Sequence, residues 1–230
     1  NHILAESAMM VALSIAVFIV SEFIPWPYAY GGGFSMFGQV PIILVSYRHG
    51  VKNGLAASMA LAIFEMIMGY KNFVYVSGIV AYLIVAFADY IIAFGCLGLG
   101  GMFRNKFGGK QTAEIVTGGL VVCFIRFICH FISGVTIWRG YCPEGMVVEL
   151  YSFIYNGSYM IPEIIITTVV LALITKSFAY STPRSLSASL YFAITELPQN
   201  PASTKYRETR NNRVITTLMI IPLLPILPPL

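Results

Sequence analysis

Charge is what this sequence has least of. Only 10% of its 230 residues are Asp, Glu, Lys or Arg, where a soluble domain carries about 25%. Hydrophobic residues make up 57% and the mean hydropathy is +0.78, which excludes a water-soluble globular fold and calls for an integral membrane protein. Cysteine is also scarce. Cys96, Cys123, Cys129 and Cys142 show no CxxC or Cys/His ligand spacing, and three of them sit inside apolar runs. They read as small buried hydrophobes rather than metal ligands, and no metal or cofactor is expected. No GxxxxGK[ST] pattern occurs, so the chain is not expected to hydrolyse ATP itself. Ten acids against fourteen bases leave +4. Two of the acids and five of the bases lie beyond residue 176, so the surplus is peripheral and nucleic acid is not an expected partner. The first residue is Asn, and the first apolar segment has neither a basic stretch before it nor a cleavage pattern, which predicts no signal peptide.

What is present is a series of long apolar segments divided by Gly, Pro or charge. They predict an all-α bundle of six transmembrane helices at about 3 to 24, 38 to 47, 50 to 69, 76 to 103, 112 to 138 and 147 to 175. The second is short for a crossing and must be tilted, extended by its preceding loop or sunk in the bundle. Arg48, Lys52, Arg104, Lys106, Lys110 and Lys176 fall on one side and only Lys71 and Arg139 on the other, so the positive-inside rule predicts cytoplasmic termini. The first outer loop, from Pro25 through Trp26, Tyr28 and Tyr30 to Gly33 and Phe34, has the aromatic, glycine-rich composition of a lid. Residues 1–178 read as one membrane domain. Residues 179–230 are polar and then proline-broken, and they read as a disordered tail.

Ionisable groups within spans are costly and usually serve function. At 1.5 Å rise per residue, Asp89 lies roughly 15 Å below the outer end of the fourth helix, His130 about 12 Å below Trp138, and Asn156 about 14 Å below the start of the sixth. Three polar groups from three helices thus share one layer. Arg126, His130, Gly134 and Trp138 recur at i+4 and form one stripe; Ser152, Asn156, Tyr159 and Glu163 form another. Arg126 and Glu163, both deeper, are placed to neutralise each other. Glu65 either lines the same vestibule or snorkels outward. A carboxylate, several aromatic faces (Tyr90, Trp138, Tyr151) and an amide suit a flat, cationic, hydrogen-bonding heterocycle.

The segments AESAMMVA, QVPIILVSYRHG, ADYIIAFGCLGLGGMF, RFICHFISGVTIW and YSFIYNG resemble the thiamine-specific substrate-binding subunits (S components, YuaJ/ThiT type) of energy-coupling factor transporters, over about residues 3 to 178. The resemblance implies a substrate-binding subunit of a vitamin importer in a bacterial-type cell membrane, not an enzyme. Its partners would be a membrane coupling subunit and two cytoplasmic ATPases, and its ligand thiamine. It also implies a binding set of Asp89, Tyr90, His130, Trp138, Tyr151 and Asn156, with Asp89 where the family usually has a glutamate. Phe34 is the candidate for the first-loop aromatic. Ala8 and Ala12 match the small-xxx-small surface through which the family's first helix meets the coupling subunit, and small residues allow close helix approach in lipid. Two other readings compete: an S component or solitary carrier for a different vitamin, and a membrane enzyme with Asp89 and His130 as acid and base. The enzyme reading lacks a nucleophile, because Cys129 is about 100° around the helix from His130.

Overall fold

The structure is a computed structural model that describes residues 2–23 and 33–177. The aromatic loop segment from Pro25 to Gly32 and the tail beyond residue 178 lie outside the described residues. Six helical elements follow one another: α1 (His2–Glu22), α2 (Val40–His49), α3 (Val51–Met68), α4 (Ile79–Leu99), α5 (Gln111–Thr136) and α6 (Val148–Ser177). Short 3₁₀ turns, Tyr70–Tyr75 and Trp138–Tyr141, close α3 and α5 at one end. Among the described residues there is no strand.

Five of these helices, all but α2, are long and apolar enough to cross a membrane. The expected second crossing is only ten residues of helix, about 15 Å at helical rise and half of a hydrocarbon core. Its contacts show how the chain before it runs beside α1. Glu6, at the start of α1, holds Arg48 at 2.9 Å and faces His49 at 3.0 Å. Ser14, two turns on, donates to the carbonyl of Gly38. The chain therefore descends antiparallel to α1 in two pieces, turns over 36–39 and then helix from Val40. Pro41 explains where the helix begins, since its fixed φ and missing N–H suit a first turn. Gly50 and Gly78, at φ 88° and 91°, adopt backbone that side chains disfavour and so set the starts of α3 and α4.

α4 is not one regular helix. Val85–Ile92 is wound as a π-helix and Cys96–Leu99 as 3₁₀, a local departure that apolar periodicity cannot reveal.

Polarity is arranged inside out, as lipid requires. Phe23 is 82% exposed and Val74 78%, while Glu114 and Glu163 are 1% exposed and Arg126 4%. Each buried charge has a partner: Tyr47 Oη donates to Glu114 at 2.7 Å, and Arg126 pairs with Glu163. Cys96 and Cys123 are buried and all four cysteines are free thiols, in keeping with small hydrophobes.

Candidate functional site

The ends of α1, α3, α4, α5 and α6 enclose a cavity of about 770 Å³, within the range of small-molecule sites. Asp89 gathers three side chains on its wall. Its Oδ2 accepts from Ser133 Oγ at 2.7 Å and from Trp138 Nε1 at 3.1 Å, and its Oδ1 lies 3.2 Å from His130 Nδ1. The π-wound turn of α4 carries both Asp89 and Tyr90 to the cavity wall although they are consecutive, a use of irregular winding that recurs at functional sites. Tyr90 is anchored from behind: its hydroxyl donates to the Gly69 carbonyl at 3.1 Å and accepts from Asn72 Nδ2 at 2.9 Å, and its ring stacks on Phe73 at 5.8 Å.

α5 ends at Thr136, before Trp138. The stripe expected to run unbroken through Trp138 instead passes into the 3₁₀ turn, and the hydrogen bond to Asp89, not helical spacing, fixes the indole. Arg126, His130, Gly134 and Trp138 all still line the cavity. On α6, Tyr151, Ser152, Asn156 and Tyr159 line it as well. The Asn156 amide is used within the protein: Nδ2 donates to the Ser152 carbonyl at 2.9 Å and the His130 carbonyl at 3.3 Å, and Oδ1 accepts from Tyr159 Oη at 2.6 Å. It braces α6 against α5 beneath the site. Gly134 makes that approach possible, because a Cβ there would stand 2.1 Å from Ser152 Oγ.

Phe34 and Glu65 are on the cavity wall, so Glu65 faces the vestibule rather than snorkelling outward; its Oε1 is closed off from solvent and has no hydrogen-bond partner among the described residues. Arg126 and Glu163 form the expected pair at the cavity floor, where Glu163 also accepts from Ser35 Oγ and Arg126 donates to Gln39 Oε1 at 3.1 Å and lies 4.5 Å over the Phe94 ring. Among the described lining residues, Glu22 and Asp89 carry negative charge against Lys71 and Arg126. With Arg126 already matched by Glu163, the balance favours a cation. Among the described residues no group of His, Cys, Asp and Glu is placed to hold a metal.

Sequence reasoning passed over Ser133, Asn72 and Tyr155. Ser133 is i+3 from His130 and thus on its face, a signal hidden by the ordinariness of one serine in an apolar helix. Ala8 and Ala12 lie away from the cavity, both exposed on α1, whereas Glu6 and Ser14 on the same helix are buried.

The family model described as thiamine transporter protein (Thia_YuaJ) matches residues 4–182. The thiamine transporter ThiT of Bacillus subtilis (strain 168) is 32% identical over 180 residues, 74% of this chain and 88% of that protein. The thiamine transporter ThiT of Lacticaseibacillus paracasei is 26% identical over 180 residues, 75% of this chain and 86% of that one. A solved ThiT from Listeria monocytogenes shares the fold with a TM-score of 0.58 at 21% identity, covering 76% of this chain and 93% of that one. These likenesses span the described bundle and its cavity, and they make the chain a multi-pass membrane member of the Thia_YuaJ thiamine transporter protein family, not an enzyme.

Proposed function

We propose that the chain captures thiamine in this cavity and delivers it inward as the S component of an energy-coupling factor importer, with a membrane coupling subunit and two cytoplasmic ATPases. The observation that carries the reading is the convergence of Asp89, His130, Trp138 and Tyr151 from three parts of the chain on one cavity whose charge balance favours a cation. Thiamine is a cationic thiazolium joined to a hydrogen-bonding aminopyrimidine, which matches that lining: aromatic faces for the cation, polar groups for the pyrimidine edge. Its relatives bear the name of thiamine transporters. Asp89, Tyr90, His130, Trp138, Tyr151, Asn156 and Phe34 form the binding set, and Ala8 and Ala12 form the coupling surface. The protein sits in a bacterial-type cell membrane with both termini cytoplasmic and the cavity opening outward.

The test is a calorimetric titration of the detergent-solubilised protein with thiamine, riboflavin and biotin, without nucleotide. Thiamine alone is expected to bind. Tighter binding of either other vitamin would replace this reading with a carrier of that vitamin.

A further inference from the structure

The end of the bundle opposite the cavity carries charge of one sign. There α2 meets α3, and residues 100–110 join α4 to α5. Lys52, Lys106, Lys110 and Lys176 are exposed at this end, and among the described residues none of them has an ion-pair partner. The two acids nearby are already used. Glu6 is held by Arg48 and His49. Glu114, 1% exposed, accepts from Tyr47 Oη and from the Phe107 N–H at 3.2 Å. Every other described acid belongs to the cavity end of the bundle or to the ion pair at the cavity floor.

This basic surface is built rather than loose. Residues 100–110 wind through successive tight turns: the Met102 N–H donates to the Leu99 carbonyl at 2.9 Å, Arg104 to Gly101 at 3.1 Å and Lys106 to Phe103 at 3.0 Å. Asn105, Gly108 and Gly109, at φ 62°, 62° and 83°, take the left-handed backbone that bends the chain back toward the next span. Ser46 Oγ accepts from the Gly101 N–H at 2.8 Å, and Arg104 Nη1 donates to the Arg48 carbonyl at 2.9 Å. The loop is thereby pinned to the end of α2. Beside its lysines the Phe103 and Phe107 rings stack at 5.7 Å, and Phe107 is 36% exposed.

A loop this short between two spans stays at the membrane–water boundary. Cations beside an exposed apolar ring at that depth suit a phosphate-bearing lipid, whose headgroup meets the ammonium groups while its acyl chains meet the phenyl ring. We propose that this face binds the headgroups of anionic phospholipids. An acidic protein surface satisfies the lysines alone; a lipid satisfies the lysines and Phe107 together. Because the loop is already ordered by its own hydrogen bonds, binding has little left to immobilise. The face lies away from the cavity, so this proposal is independent of the thiamine reading.

The test is native mass spectrometry of the full chain released from detergent that contains equal amounts of dioleoylphosphatidylglycerol and dioleoylphosphatidylcholine, with thiamine calorimetry in parallel. Phosphatidylglycerol is expected to be retained in preference. A cation near an anionic surface is worth about fivefold in affinity, so Lys52→Ser, Lys106→Ser and Lys110→Ser together should weaken retention about a hundredfold. Arg139→Ser, at the cavity end, should leave retention unchanged, and thiamine affinity should stay at the wild-type value in the triple variant. Equal retention of the two lipids, or a triple variant that holds phosphatidylglycerol as wild type does, overturns the proposal. So does inorganic phosphate that competes as well as the lipid, which would make the face a general anion site. A glutamate-rich peptide that binds more tightly than the lipid would assign the face to an acidic protein partner and overturn it as well. Should the triple variant fail to fold, Lys106→Ser with Lys110→Ser decides, with an expected loss of about twenty-five-fold.

Discussion

Glu163→Gln tests the cavity floor with a change of one atom and one charge. Arg126 and Glu163 are 4% and 1% exposed, so neither charge can turn to solvent when its partner is lost. The amide oxygen can still accept from Arg126 and Ser35 where Oε1 stands, but the charge that balances the guanidinium is gone, and beyond that oxygen Arg126 keeps only Gln39 Oε1, at 3.1 Å, and the face of Phe94. Breaking a buried pair in this way costs about 3 to 5 kcal/mol, and the same side chain also receives Ser35 while Gln39 in turn donates to Thr167 at 2.7 Å. For a chain of this length about 2 to 4 °C of Tm accompanies each kcal/mol, which predicts a fall of about 6 to 20 °C for purified protein in detergent. Replacing both partners, Arg126→Met with Glu163→Met, removes both desolvation costs and should return Tm close to that of the unaltered protein or above it. A single variant within about 2 °C of wild type, or a double variant as unstable as the single, would refute the claim that the pair is closed to solvent and energetically coupled.

Three further outcomes follow from the same geometry. Thiamine should quench tryptophan emission, and Trp138→Phe should remove most of that quench, since Trp26 is the only other tryptophan; an unchanged signal would show that Trp138 does not stack on the ligand. Gly134→Ala drives a Cβ to within 2.1 Å of Ser152 Oγ and should cost about 1 to 3 kcal/mol with weakened thiamine binding, while Ser152→Ala in the same protein should restore part of both, as read by Tm and calorimetry. Ala8→Trp with Ala12→Trp should leave thiamine affinity unchanged and abolish uptake in cells co-expressing the coupling module, because both positions are exposed on α1 and bulk there prevents close helix approach; normal accumulation would exclude this face as the docking surface.

The site was more legible than the path of the backbone. Asp89, His130 and Asn156 stood out because ionisable and amide groups are rare in apolar helices, and a fixed rise per residue was enough to put them at one depth. The Arg126–Glu163 pair followed from the same arithmetic. Other features are set by tertiary contacts that leave no local pattern. The π-wound turn at Val85–Ile92 has the same apolar composition as the helix around it. The end of α5 before Trp138 is marked by no Pro, and a hydrogen bond to another helix together with the Tyr141 ring holds the indole. The descent of the chain beside α1 in two pieces depends on Ser14 capturing the Gly38 carbonyl and on Glu6 holding Arg48. Asn156 lines the cavity, but its amide is largely occupied in joining α5 to α6, because a buried amide must satisfy its own donors before it can serve a ligand.

The two ends of the bundle are held together by different means, and that difference explains where a ligand site can exist. Away from the cavity, α2 to α5 meet backbone to backbone. A Cβ at Gly118 would stand 1.9 Å from the Gly100 carbonyl oxygen, and one at Gly98 would stand 2.6 Å from the backbone of Leu55. Ser46 and Ser58 donate directly to the Gly98 and Gly95 carbonyls. Helices this close leave no room between them, and small residues are what allow that approach in lipid. At the other end the same helices carry Glu65, Asp89, Tyr90, Arg126 and His130 toward one another, and side chains of that size keep the backbones apart. The space they enclose is therefore a product of residue size along each helix, small at one end and large and polar at the other. The polar groups that hold the walls in place are also the ones a ligand meets, so a change at Ser133, which holds Asp89 at 2.7 Å, alters binding through the position of its neighbours.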